Sequence, residues 1–433
     1  MHTTTTTILA LAMTIATAAR QSVLTLSTPQ RLVLQAELNQ WKASFGAEAS
    51  AMGLMPLQEG LNTDEVVSDE LQRFLDTKFD VEAASLSNPD AQFHTDHPFA
   101  LLTNDEFARL VQVSFNQSAS ALRGALGAAF DDTSPPRAPR ASSADWSTHK
   151  CNPPIRNQGQ CGSCWAFSTV GTVEAAHCLG AGELLDLSEQ QIVSCSTNGG
   201  SMGCSGGWPA AAMDWMKDGA CLESAWPYTS GKSGQTGSCS TQCQKSKLSV
   251  GPTVKVSGEA KLQSALDMQP VSVLVEAGNS VWRNYKSGVV SQCPGARSDH
   301  AVIAVAFDDA SFKIKNSWGT SWGDKGYITL KRTGGAGKGM CNVAESVVYP
   351  TLTGHVTPTP SSSSAPPKPT ATTWKPTPPP SRPTPLPTPT PSRGPTPQPS
   401  NDDPTDNDDD DCDFDDDDDD DDDDCDFGVE DDA

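Results

Sequence analysis

The chain has 433 residues, 13 cysteines and a formal charge of −24, of which the last 33 residues alone hold −22 (21 Asp and Glu430). That length exceeds one ordinary core, and the near-neutral remainder carries no basic stripe or nucleic-acid motif, which excludes nucleic acid as a partner. No stretch beyond the N-terminus approaches 18 apolar residues, so no transmembrane segment is expected, and the cysteine count points to an oxidising compartment.

Residues 1–18 read as a signal peptide. The apolar run from Ile8 ends in Ala16-Thr17-Ala18, a small-x-small cleavage site, although Met1–Thr7 contains no Lys or Arg. Residues 19–139 form a helical unit without cysteine. Leu34, Leu38, Trp41 and Phe45 recur at helical spacing, with Gly46 as a stop, and Val67, Leu71 and Phe74 begin a second face. The unit ends in a Pro/Arg-rich stretch, Ser134 to Arg140, expected to be an exposed, protease-accessible hinge. Residues 140–354 are the cysteine-rich globular unit; helical signals dominate to about Lys217 and strand signals from Val271 to Lys331. Residues 355–400 are a Pro/Thr/Ser linker that cannot bury a core. Residues 401–433 are an acidic tail expected to stay extended by self-repulsion. Cys412 and Cys425 flank its ten-Asp run, 415–424. Its simplest role is solvation; the sharper one is multivalent binding of Ca²⁺ or of a cationic surface, without the glycine placement of an EF-hand loop.

The chemistry concentrates in Asn157-Gln158-Gly159-Gln160-Cys161-Gly162-Ser163-Cys164-Trp165-Ala166. A thiol attacks as thiolate, so a nucleophilic Cys164 needs help to ionise. Ala166, Val170, Val173 and His177 share a face, with Gly180 after the last turn, so Cys164 starts a helix whose N-terminus favours an anion. Of the histidines that follow, His177 lies thirteen residues along that helix, too far to reach the thiol, and His355 lies beside the linker. His300 opens the apolar, β-branched run Ala301-Val302-Ile303-Ala304-Val305, a buried strand that would hold a general base rigidly. Asn316 ends the alternating strand Phe312–Lys315 and can orient an imidazole without adding charge; Trp318 can shield that bond from water. Taken alone, His300 is more often a satisfied strand-end histidine and Asn316 an ordinary turn residue.

Gln158, Cys164, His300 and Asn316 in that order resemble the papain-like cysteine proteases, whose histidine and asparagine lie roughly 130–150 residues beyond the cysteine; here they lie 136 and 152 residues beyond. The resemblance implies an α+β, two-domain fold, a helical domain plus a β-barrel-like domain with the active site in the cleft between them. It implies peptide hydrolysis on protein and peptide substrates through a Cys164 acyl-enzyme, with the Cys164 backbone N–H and the Gln158 side chain as the oxyanion donors. Gly206, Gly207, Trp208 and Pro209 match the substrate-binding segment. Leu274 and Ser346 match the second-subsite pocket, whose uncharged base implies an apolar preference. Asp299 and Trp318 match further cleft positions. The implied disulfides are Cys161–Cys204, Cys195–Cys239 and Cys293–Cys341, with Cys243 an alternative to Cys239. Cys151, Cys178, Cys221 and Cys243 are left to two further bridges of open pairing.

Residues 19–139 resemble the family's inhibitory propeptide: Asp69, Arg73 and Asn88 fit three positions of its helix motif, while Thr77, Asp80 and Ala84 depart from it. A second motif, Gly-x-Asn-x-Phe-x-Asp, survives only as Phe99, with Leu101 at the Asp position tied to acid-triggered release. Asn116-Gln117-Ser118 is an N-glycosylation sequon within this removable part. The product is expected to be extracellular, with a lysosomal or vacuolar compartment as the alternative. No metal and no cofactor is implied. A binding or surface-attached protein on a disabled protease fold is the competing class, and a Cys161-x-x-Cys164 oxidoreductase a weaker one because no βαβ context surrounds the pair.

Overall fold

The computed structural model describes residues 20–56, 59–112, 142–240, 243–335 and 337–353, all within one compact unit. The expected signal peptide, the hinge at Ser134–Arg140, the Asn116 sequon, His355, the linker and the acidic tail lie outside the described residues.

Two long helices open the structure. In α1 (Thr28–Ala51), Ser27 and Gln30 form a capping box and Pro29 sits in the first turn. In α2 (Thr63–Ser87), the Asn62 side chain accepts from the N–H groups of Asp64 and Glu65, and Glu65 returns a bond to the Asn62 N–H. Leu34, Leu38 and Trp41 of α1 and Leu71 and Phe74 of α2 are buried in a core shared with the sheet. Two sequence expectations need correction. Gly46 does not stop α1, which runs on until Gly53 turns the chain at φ +63°. Val67 faces solvent at 38 % exposure, so the buried face of α2 begins at Glu70 and Leu71. Strand β1 (Ala91–Phe93) and helix α3 (Asn104–Gln112) complete this N-terminal segment.

The remainder divides into a helical and a sheet-built lobe. After β2 (Ala144–Asp145) comes α4 (Cys164–Ala181), buried from Cys164 to Leu179, the polar Ser168, Thr169, Thr172, Glu174 and His177 included. It ends at Gly182 in the left-handed conformation, two residues after Gly180. Helices α5 (Glu189–Cys195) and α6 (Pro209–Met216) pack beside it. The other lobe holds β3 (Val250–Val256), α7 (Glu259–Leu266), β4 (Val271–Val275), α8 (Ser280–Asn284), β5 (Tyr285–Val290), β6 (His300–Phe307), β7 (Ser311–Lys315), β8 (Tyr327–Lys331) and β9 (Val347–Leu352). The sheet order is β1-β5-β8-β7-β6-β4-β9-β3, with β2 added to β6; β5 and β8 run parallel and every other pair is antiparallel. The N-terminal segment thus extends the sheet of the sheet-built lobe, with β1 as its edge strand.

Disulfides join Cys151–Cys178, Cys161–Cys204, Cys195–Cys239, Cys221–Cys243 and Cys293–Cys341. Cys164 is the cysteine among the described residues that enters no bridge.

Candidate active site

Cys164 is the first residue of α4. Ser163, before it, does not cap the helix with its hydroxyl, which is paired with the Tyr228 hydroxyl at 2.8 Å. The helix therefore begins at the thiol with its dipole uncompensated by a side chain, which favours a thiolate there. The thiol accepts the Ala301 N–H at 3.3 Å. This contact sets the start of β6 against the start of α4 and puts His300, the preceding residue, at the junction.

Two hydrogen bonds decide which imidazole nitrogen can act as a base. Asn316 Oδ1 accepts the Ser317 N–H at 2.8 Å, which settles the orientation of that amide. The same oxygen lies 2.7 Å from His300 Nε2. An oxygen can only accept, so Nε2 carries the proton and Nδ1, which makes no hydrogen bond, is left as the basic nitrogen. The Trp318 ring stacks on the imidazole at 4.8 Å and 26°, and Trp282 meets it edge-on at 6.4 Å. Burial under these rings pushes His300 down to about 4, opposed by its bond to Asn316.

Gln158 is held from two sides. Its Oε1 accepts the Ser317 hydroxyl at 2.7 Å and its Nε2 donates to the Cys161 carbonyl at 3.1 Å. Its backbone is clamped by the Ser317 carbonyl at 2.9 Å and the Tyr228 hydroxyl at 2.8 Å. Ser317 and Tyr228 were missed by sequence reasoning. Ser317 stands inside the Asn316-Ser317-Trp318-Gly319 motif and was open to discovery there; nothing local marks Tyr228.

Leu274, Trp208, Ala301 and Cys164 form one small apolar cluster, which brings the glycine-rich segment and β4 to the thiol. Gly206 adopts φ +109°, a conformation that favours glycine. A Cβ on Gly207 would fall 2.5 Å from the Trp165 ring, so its missing side chain also serves helix packing. Pro209 starts α6, and the Ser346 carbonyl accepts the Leu274 N–H at 3.1 Å. Asp299 turns to the backbone of Ala277 and Gly278 at 2.7–3.2 Å; burial raises its carboxyl to about 6, and those N–H groups pull the other way.

The N-terminal segment packs against the Trp318 side of the site. Phe99 and Phe107 pack edge-on against Trp318 at 5.6 and 5.4 Å. The Ser321 hydroxyl donates to Glu48 at 2.5 Å, and Asn157 approaches Met52 Sδ at 3.4 Å. Below the cleft, Asn88 Oδ1 accepts the N–H groups of Ser291 and Gln292 at 2.9 and 2.8 Å. His97 Nε2 meets Asn284 Oδ1 at 3.0 Å, and Asp80 pairs with the buried Arg283 at 2.7 Å. Asp69 and Arg73 join Glu106 in an ion-pair network inside the segment.

Residues 140–351 match the family model for papain family cysteine proteases. The oryzain beta chain of Oryza sativa subsp. japonica is 38% identical over 270 residues, 60% of this chain and 56% of that protein. Digestive cysteine proteinase 3 of Homarus americanus is 37% identical over 264 residues, 59% of this chain and 78% of that protein. Among solved structures, the proform of the ragweed pollen allergen Amb a 11 cysteine protease aligns with a TM-score of 0.60 at 25% identity, covering 74% of this chain and 94% of that one. The chain thus spans little more than half the length of the rice relative and over three quarters of the Homarus one. On these matches, and on the α+β fold that carries the site, the chain belongs to the papain family of cysteine proteases.

Proposed function

We propose that this chain is the zymogen of a cysteine endopeptidase. The observation that carries the reading is the His300 ring, protonated on Nε2 toward Asn316 and basic on Nδ1, one residue from the Ala301 N–H that touches Cys164 Sγ. In the reaction, His300 Nδ1 takes the thiol proton and the Cys164 sulfur attacks the scissile carbonyl carbon. The developing oxyanion is met by the Cys164 N–H and Gln158 Nε2, donors already oriented before substrate arrives. His300 returns its proton to the leaving amine as the carbon–nitrogen bond breaks. Water, deprotonated by the same nitrogen, then cleaves the thioester. Asn316 keeps the imidazole in the working tautomer, and Trp318 keeps water from that bond.

Residues 20–112 act as a prosegment. The packing of Phe99 and Phe107 on Trp318 supports a latent form in which His300 stays neutral. Processing in 113–141, near Arg137–Arg140, separates them from the enzyme. Trp208, Leu274 and Ala301 with Ser346 favour an apolar side chain in the second subsite. The bridged cysteines support an oxidising destination, extracellular first and lysosomal or vacuolar second.

The test is peptide cleavage by the processed enzyme, with substrates differing at the second residue before the cut. Wild type should prefer Leu or Val there over Arg or Asp, and Cys164→Ala should abolish turnover. Cleavage retained in Cys164→Ala, or no cleavage by the wild type, would end the proposal.

A further inference from the structure

Asn316 Nδ2 and Arg156 Nε are buried donors without a hydrogen-bond partner. Both residues line the same cavity on the inner side of the catalytic cluster. Its other walls include Glu174, Glu189, Lys315 and Ser317. The cavity offers about 20 Å³ to the centre of a water molecule, more than the roughly 10–15 Å³ that one ordered water needs. A buried water also needs two to four polar partners. Two unused donors and two carboxyls around one space meet that requirement.

The carboxyls are anchored on the helical side. Glu174 sits on α4, ten residues beyond Cys164, and its Oε1 accepts the Leu187 N–H at 2.7 Å. Glu189 opens α5 and lies 4.0 Å from Arg156 Nε. On the sheet side, Lys315 ends β7 directly before Asn316. Its ammonium donates to the Pro153 carbonyl and lies 3.4 Å from Asn152 Oδ1. The cavity is therefore a polar seam between the lobe that carries the nucleophile and the lobe that carries the histidine and its orienting amide.

We propose that one buried water in this cavity accepts the Asn316 Nδ2 hydrogen and donates to Glu174, which makes Glu174 a positioning residue for the Asn316–His300 pair. The proposal rests on the proteolytic reading above. Asn316 Oδ1 is already held by His300 and Ser317, and an anchor on Nδ2 would fix the amide from its other end as well. A water held by Glu174 supplies that second anchor. The link then runs from the nucleophile's own helix through Glu174 and the water to the amide that sets the imidazole tautomer. Leaving Asn316 Nδ2 unpaired in a buried site is costly, and a rotated amide would present a donor to His300 Nε2 and spoil the tautomer.

The direct test is a high-resolution crystal structure of the processed enzyme. An ordered water within hydrogen-bond distance of both Asn316 Nδ2 and the Glu174 carboxyl is expected; a cavity without density there overturns the proposal whatever the enzyme's activity. The kinetic test uses Glu174→Leu and Glu174→Gln. Glu174→Leu should lower kcat about tenfold with KM within twofold, and shift the pH dependence of Cys164 alkylation by iodoacetamide. Glu174→Gln, which keeps an acceptor for the water, should recover most of both. Equal damage from both variants, or a change in KM alone, overturns the positioning role. Should Glu174→Leu fail to fold, Glu174→Gln and the crystal structure still decide. A wild type that cleaves no peptide would instead defeat the proteolytic reading, while the density at Asn316 would still answer for the water.

Discussion

Asp80 stands where the family's prosegment helix motif has another residue, yet the structure pairs it with Arg283 at 2.7 Å, with side-chain exposures of 11% and 1%. Arg283 also donates to the Leu102 carbonyl at 2.5 Å, so Asp80 and Leu102, both in the prosegment, hold its guanidinium. Replacing Asp80 by Ala leaves a buried guanidinium with half its contacts. Breaking one side of a buried ion pair costs roughly 3–5 kcal/mol. The nearby Asp76 carboxylate still favours the charge on Arg283, so the lower end applies. About 3 kcal/mol corresponds to roughly a hundredfold weaker prosegment binding. The assay uses the full chain carrying Cys164→Ala, nicked within 113–141 by an added protease, with prosegment retention followed at neutral pH. Asp80→Ala should release the segment about a hundredfold more readily. The double variant Asp80→Ala/Arg283→Ala should recover at least tenfold of that loss, because the orphaned charge is gone. Release unchanged within threefold in Asp80→Ala would refute the reasoning, as would a double variant no better than the single one.

Release should also depend on pH through His97. Its Nδ1 accepts the Phe99 N–H at 3.2 Å while Nε2 donates to Asn284, an arrangement open only to the neutral ring. Burial, then the charges of His94 and Arg283, hold His97 well below the usual range, against its bond to Asn284. Asp96 and Lys286 act in turn on His94, itself lowered to about 4 by burial. A base with a depressed bound-state value stabilises the complex fully above about pH 6.5 and less as pH falls toward that value. Retention should therefore weaken on acidification, and His97→Asn should flatten the slope; an unchanged slope in that variant rules out His97 as the sensor. Trp318→Ala removes the ring over His300 and the surface for Phe99 and Phe107, so kcat of the processed enzyme should fall about tenfold while the nicked zymogen sheds its prosegment faster; normal values for both would contradict the shielding role. Gly207→Ala would set a Cβ 2.5 Å from Trp165, an overpacking that costs about 1–3 kcal/mol, read as a lower unfolding temperature; an unaltered temperature would show that Trp165 gives way.

Much of the site was legible because the chemistry lives in short motifs. Cys164 at a helix start, His300 at a strand mouth and Asn316 at a strand end each follow from local pattern, and their order and separation point to one family. The helix stops at Gly46 and Gly180 were misplaced because a glycine inside a helix costs only about 1 kcal/mol against alanine. Tertiary packing of α1 and α4 outweighs that, and the chain turns where a later glycine adopts positive φ, Gly53 and Gly182. Val67 was misplaced because a helical period marks a face but not its first buried residue.

What the sequence determines by itself is the set of reacting groups and the elements that present them, because periodicity, capping and motif spacing act within a few residues. What only the tertiary structure decided are the contacts between distant segments: Ser317 and Tyr228 clamping Gln158, Arg283 and Asn284 receiving the prosegment, the pairing of Cys151 with Cys178 and of Cys221 with Cys243, and the polar cavity behind Asn316. Those depend on which surfaces meet once the helical and sheet-built lobes are packed together, and no local pattern records the distance between them.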